Sequence, residues 1–332
     1  MGNGQVRGDS FNARRSRKWL VGGVVVASAM LGAAVGEGIA APMFGDVAAC
    51  TGGGTPPSSS LGGPVLIATQ IQVVFWDAPV DPRIVSFYSA LVGNQNTYYD
   101  WVTFLYTHDP DHDGYYRYGS ATGISITPSS TDYTGYVTTY GKEYLDDRLF
   151  SEEIAHQIEN GVLPAPGIDA ATGYPNTLYM IQLPPQVGFV DPGGGLSCSQ
   201  VLGYHYNKTQ TVFGSPTTII YGVIPDYSQT DSWGPDCGTA AVEGTSITRF
   251  QNMTATISHE VFEAITDPLL DNLAWGGVQE IGDTCNQACL QAGAFDDLLG
   301  SVDPGTGAPF KVQLLWANNQ QDCAGAFPWW WD

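Results

Sequence analysis

The chain has 332 residues, of which 33 are acidic and 12 basic, and its formal net charge is −21. The first 40 residues contain five basic and two acidic residues, so the remainder carries −24. A surface of this sign repels nucleic acid and anionic lipid, which excludes both as partners of the folded part.

Residues 1–40 have the order of an export signal. Four basic residues within 14–18 precede an uncharged run over 19–35, and Ala40 ends a small-residue cleavage site that begins at Gly38. This order is typical of a secretory signal peptide. The run is long for a signal and short for a membrane span of about 20 residues, so an uncleaved anchor is the alternative. The protein is expected to be secreted, or held at the cell surface by this segment alone.

Residues 41–63 are rich in Gly, Pro, Ser and Thr and predict a linker before a globular domain over 64–332. Within the linker, Cys50 follows Val-Ala-Ala, as in a bacterial lipid-attachment box, but Asp46 interrupts that pattern. We therefore favour a disulfide for Cys50. Six cysteines in an exported chain predict at least two disulfides, with the pairing left open.

Apolar patterns along the globular part predict alternating strands and helices. Strands are expected at 64–76, 177–190, 217–224 and 311–316, and helices at 82–91, 97–106, 146–161 and 249–267. Residues 119–140, rich in Ser, Thr and Tyr, predict loops or edge strands. The expected fold is α/β, with one mixed β-sheet covered by helices.

The helix at about 249–267 carries the clearest chemical pattern. His259 projects away from its apolar stripe, towards a cleft or solvent, and Glu263 lies one turn further along. Two such residues can bind one metal ion, and Glu260 can take a proton from metal-bound water as in H-E-x-x-H. The alternative is an ordinary exposed helix pair.

Three further residues are candidates for the same site. Glu280 and Asp283 follow downstream, and Glu280 is the preferred third ligand. His205, in Gly-Tyr-His-Tyr, is a candidate oxyanion donor or metal ligand. The favoured interpretation, however, is that His205 is a hydrogen-bonded residue of a sheet. The expected cofactor is one divalent metal ion, with zinc the first choice.

A second cation site is predicted at Asp109, Asp111, Asp113 and Tyr115. These residues match the opening D-x-D-x-D-G of a calcium loop, in which Tyr115 would offer its backbone carbonyl. Ser120 stands where such a loop has its bidentate glutamate. Weakly bound calcium and a solvated acidic turn are therefore both compatible with the pattern.

The stretch 258–268, followed by Trp275 and by Glu-Ile-Gly-Asp-x-Cys at 280–285, resembles the secreted Exordium-like (phosphate-induced) family and its bacterial and fungal relatives. Residues 63–76 and 312–318 add to the resemblance, whereas Asp267 departs from it. The resemblance implies a zincin-like fold with a metal site and does not define a reaction.

The predicted function is a secreted metal-dependent hydrolase, most simply a peptidase, with Glu260 as general base. The alternative is a non-catalytic extracellular binding or signalling protein whose metal site is structural or vestigial. Expected partners are peptides or cell-wall and extracellular glycans, for which the tryptophans at 329–331 offer a stacking surface.

Overall fold

A five-stranded sheet forms the centre of the described part of the molecule. The computed structural model describes residues 63–93, 99, 102, 118–129, 137–139, 142–170, 173–185, 187–228, 237, 241–242, 245–270, 280–288, 295–317 and 322–324. The predicted signal or anchor segment, almost all of the linker and Cys50 lie outside these residues. None of the described helices is long and apolar enough to cross a membrane.

The elements follow one another along the chain as short strands and four described helices. The strands are β1 (Gln70–Trp76), β2 (Ser120–Ile126), β3 (Val137–Thr139), β4 (Lys142–Asp146), β5 (Thr177–Gln182), β6 (Val187–Val190), β7 (Tyr204–Val212), β8 (Ser215–Ile224), β9 (Ala241–Val242), β10 (Thr245–Ser246), β11 (Phe295–Val302), β12 (Pro309–Gln313), β13 (Leu315–Ala317) and β14 (Asp322–Ala324). The helices are α1 (Pro82–Val92), α2 (Arg148–Glu159), α3 (Arg249–Thr266) and α4 (Ile281–Ala288).

The central sheet has the strand order β2-β1-β5-β8-β7. The first four strands of this order run parallel, and β7 lies antiparallel to β8 at one edge. Every residue of β5 is buried, as expected for a central parallel strand that is covered on both faces. The prediction of a mixed sheet with flanking helices is confirmed, and four smaller sheets of two or three strands accompany it.

Helices cover both faces of the central sheet. Val73 and Val74 are neighbours on β1 and therefore point to opposite faces. Val73 packs in one hydrophobic cluster with Phe87 of α1 and Ile257 of α3, and Val74 packs in another with Phe150 of α2. Full burial of such a side chain contributes about 1.5–3 kcal/mol, so the first cluster holds α1 and α3 against one face of the sheet and the second holds α2 against the other.

Helix α3 has well-defined ends and a buried body. Thr248 and Gln251 form a reciprocal capping box at its start, and Asp267 follows its last residue immediately before Pro268. Every residue from Asn252 to Thr266 is buried. The alternative of an exposed surface pair at His259 and Glu263 was therefore wrong. The side of α3 that carries these two residues is buried, like the side that carries the apolar stripe.

Several predicted elements differ from the structure at their ends. Helix α2 stops one residue before Asn160, and Gly161 supplies the left-handed backbone (φ 71°) expected of a glycine stop. The strand expected at 177–190 is divided at its two adjacent prolines into β5 and β6, which belong to different sheets. The strand expected at 311–316 is likewise two strands, β12 and β13. Of the helix expected at 97–106, only Tyr99 and Val102 are described.

Two disulfides join distant parts of the described chain. Cys198 pairs with Cys237, and Cys285 in α4 pairs with Cys323 in β14. Each closes a loop of nearly equal length, with sequence separations of 39 and 38 residues. The prediction of at least two disulfides is confirmed, and such bonds indicate an oxidising compartment.

Candidate metal centre

Helix α3 presents three of the predicted residues to a common interior site. His259, Glu260 and Glu263 are 8%, 6% and 2% exposed. The His259 Nε2 atom lies 3.0 Å from Glu263 Oε2, which is the contact expected of residues four positions apart on a helix. The buried imidazole and carboxylate therefore form a preassembled pair of donor atoms.

The amino end of α4 fixes the orientation of Glu263. The backbone N–H groups of Gly282 and Asp283 donate to Glu263 Oε1 at 3.0 and 2.9 Å, as the positive end of a helix does to an anion. Gln313 on β12 supports this arrangement, since its side-chain amide donates to the Gly282 carbonyl and its backbone N–H donates to Ser258 Oγ. With Oε1 held in this way, Oε2 faces His259.

The structure separates the two downstream candidates. Asp283 Oδ1 lies 3.8 Å from His259 Nε2, whereas Glu280 Oε1 lies 3.3 Å from His205 Nε2. Helix α4 begins at Ile281, so Asp283 is in its first turn and Glu280 precedes the helix. Asp283, and not the preferred Glu280, is therefore the third residue that lies beside His259 and Glu263.

Strand β7 brings His205 to the opposite side of the cluster. Its Nδ1 atom lies 3.3 Å from Glu260 Oε2 and 3.8 Å from Glu263 Oε2. His205 is thus a hydrogen-bonded sheet residue, as favoured from the sequence, and it also borders the candidate metal ligands. Its role as an oxyanion donor stays a prediction.

The carboxylates raise the basicity of both imidazoles. Burial opposes protonation of His259, but Glu263 and Glu260 outweigh it and raise its pKa to about 10. Burial likewise opposes protonation of His205, yet Glu280 and Glu260 raise its pKa well above 6.5. Both imidazoles therefore hold a proton more tightly in the metal-free cluster than an ordinary histidine does.

The carboxylates in turn repel one another. Burial and the neighbouring charges of Glu280 and Asp283 raise the pKa of Glu263 to about 8, although His259 acts against this shift. Burial also raises the pKa of Asp283, whereas contact with His205 lowers that of Glu280 despite its burial. A bound cation would relieve this repulsion and displace the protons.

The donor spacing is suited to such a cation. Two bonds of about 2.0–2.1 Å to a tetrahedral ion hold their donor atoms about 3.3 Å apart. The His259–Glu263 and His205–Glu260 contacts, at 3.0 and 3.3 Å, are close to this value. Within the described chain, two triads have all their donor atoms within 4.8 Å of one another, and they share Glu263: His205/Glu260/Glu263 and His259/Glu263/Asp283.

The cluster opens to solvent on the side of α4. Side-chain exposure rises from 3% at Glu263 and 11% at His259 to 46% at Asp283. Among these three residues, Asp283 is therefore the one most open to solvent. The predicted calcium loop at Asp109, Asp111, Asp113 and Tyr115, and the tryptophans at 329–331, lie outside the described residues and stay predictions.

Comparison with protein-family models, with curated proteins and with solved structures finds no match for this chain.

Proposed function

We propose that the protein is an exported metal-dependent hydrolase that cleaves peptide bonds. The observation that carries the proposal is the buried contact between His259 Nε2 and Glu263 Oε2, with Asp283 beside it. These three residues would hold one divalent ion, and their mixed nitrogen and oxygen donors favour zinc. A bound ion of this kind polarises a carbonyl group and makes water acidic enough to attack it.

Glu260 is the proposed general base. It adjoins His259 in the chain, and its Oε1 atom lies 3.9 Å from His259 Nε2, so it faces the position that the ligands surround. Its partner His205, at 3.3 Å, holds the carboxylate in this orientation. A carboxylate in this position can accept a proton from the attacking water and return it to the leaving amine.

The edge of the central sheet supports a peptide substrate. Within the described residues, β7 pairs with β8 alone, and His205 near its start contacts the metal-site glutamates. An extended peptide can add to such an edge through backbone hydrogen bonds. A zincin-like fold and membership of the Exordium-like family remain part of the proposal, supported by the mixed sheet and by the position of the site on α3.

The proposal is tested with tag-free mature protein. Elemental analysis should find at least one equivalent of zinc per chain, and a mixed peptide substrate should be hydrolysed. Removing the metal with a chelator should stop hydrolysis, and adding zinc back should restore it. Protein that binds metal and hydrolyses no peptide would instead favour the extracellular binding or signalling function. Protein that neither binds metal nor hydrolyses peptides would rule out the proposed centre.

A further inference from the structure

We infer that the cluster binds a second divalent cation, through His205, Glu260 and Glu263, beside the ion assigned to His259, Glu263 and Asp283. The inference extends the proposed metal centre and so rests on the proposed function. Its starting point is that the two triads of donor atoms are distinct and have Glu263 in common. A single-ion site uses only one of them.

The two glutamates of α3 lie between the two histidines. Glu260 turns Oε2 towards His205 Nδ1, at 3.3 Å, and Oε1 towards His259 Nε2, at 3.9 Å. Glu263 Oε2 lies 3.0 Å from His259 Nε2 and 3.8 Å from His205 Nδ1. Glu263 Oε2 therefore faces both histidines and could be shared between two neighbouring ions. Glu260 could bind the second ion through Oε2 and keep Oε1 as the base that faces the first.

The surroundings of His205 are those of a metal ligand. Its Nδ1 atom points to the shared glutamates, and its Nε2 atom lies 3.3 Å from Glu280 Oε1. A histidine that binds a metal through one nitrogen commonly donates from the other to a carboxylate, which fixes the ring orientation. Glu280 is thereby assigned as the positioning residue of His205. His205 is also only 6% exposed and lies on a paired strand, so its ring is held in place.

Charge also favours two ions. Glu260, Glu263, Glu280 and Asp283 together carry a formal charge of −4 when ionised. One divalent cation offsets two of these charges and leaves the others to histidine protons, whereas two cations offset all four directly. Uncompensated buried charge is strongly unfavourable, so the excess of acidic residues over a single ion favours the binding of a second cation.

The test is the zinc stoichiometry of the tag-free, metal-stripped mature protein, measured by titration calorimetry and elemental analysis. Wild type should bind two equivalents and His205→Ala one. Glu280→Gln should still bind two equivalents, but the zinc affinity of the weaker binding step should fall by about 10- to 100-fold. His156→Ala is the matched control, since His156 is an exposed histidine on α2 that contacts Asn160, and it should bind two.

The outcomes separate this inference from the proposed function. One equivalent in both wild type and His205→Ala overturns the second ion and leaves the first intact. Two equivalents in both would place the second ion elsewhere and also overturn the inference. No bound zinc in wild type removes the proposed centre itself. If His205→Ala does not fold, the wild-type protein is loaded with two equivalents of Co²⁺ instead. Two neighbouring ions should give a spin-coupled magnetic signal, and the signal of isolated ions would overturn the inference.

Discussion

Gly282 lies so close to His259 that a Cβ atom at position 282 would approach the imidazole Nδ1 to 2.5 Å. The same atom would stand 2.8 Å from Glu263 Oε1. Contacts this short do not occur without displacement, so the absence of a side chain at position 282 allows α4 to approach both candidate ligands.

Gly282→Ala should therefore weaken metal binding. The added methyl group would push His259 and Glu263 apart, and we expect the zinc affinity to fall by about 10- to 100-fold. Overpacking should also cost about 1–3 kcal/mol of the free energy of unfolding. Zinc titration and chemical denaturation measure the two effects. Gly305→Ala is the control, because its Cβ would meet the flexible side chain of Arg83 at 2.9 Å, away from the cluster. Equal zinc affinities in the two variants would contradict the prediction.

Substitutions at His259 and Glu260 should have different effects. His259→Ala removes the nitrogen donor of the first ion, so that ion and hydrolytic activity should be lost together. Glu260→Gln preserves size and leaves His259, Glu263 and Asp283 in place, so the first ion should remain while activity falls by about 10²–10⁴-fold. Elemental analysis and peptide hydrolysis on the same samples give the comparison. Retention of the first ion by His259→Ala would show that the helix pair does not bind it.

The stability of the metal-free protein should fall with rising pH. The pKa of His259 is about 10 in the folded protein, compared with an ordinary histidine value of 6.5 in the unfolded chain. Its contribution to stability is therefore fully present below pH 6.5 and is lost as the pH rises to about 10. Zinc binds the neutral imidazole, so the increase in melting temperature caused by zinc should grow over the same range. The melting temperature is measured at several pH values with chelator and with stoichiometric zinc. A zinc-induced increase in melting temperature that becomes smaller as the pH rises would refute the prediction.

The two disulfides should differ in their effect on the metal site. Their loops are nearly equal, so replacing either pair with serine should cost a similar free energy of unfolding, about 4 kcal/mol from chain entropy. Cys285 lies in α4, whose amino end holds Glu263, so loss of the Cys285–Cys323 bond should also lower zinc affinity. Loss of the Cys198–Cys237 bond should lower the zinc affinity less than loss of the Cys285–Cys323 bond does. Denaturation and zinc titration of the two double variants would show the contrast, and equal losses of affinity would argue against it.

Local patterns were sufficient to predict helix α3 and the proximity of His259 and Glu263 on it. The apolar stripe predicts α3, Pro268 lies just beyond its last residues, and the proximity of His259 and Glu263 follows from the helical repeat. These features depend on a few neighbouring residues. The mixed sheet with its flanking helices followed similarly from alternating apolar patterns.

Contacts between distant segments could not be predicted in the same way. His205 reaches Glu260 because β7 folds back antiparallel on β8, and nothing near His205 in the chain indicates this. The choice between Glu280 and Asp283 depends on α4, which begins at Ile281 and which the apolar patterns did not predict. The burial of α3 depends on packing from both sides, whereas its sequence shows a single apolar stripe.

The donor atoms of the cluster come from three elements that are far apart in the chain: His205 from β7, Glu263 from α3 and Asp283 from α4. In an extended chain these groups are too widely separated to bind one ion, so under the proposed function metal loading would have to follow folding. The free energy of loading would then act almost entirely on the native state, as a linkage term of RT ln(1 + [metal]/Kd). The lifetime of the folded protein would consequently depend on the concentration of free metal in its surroundings.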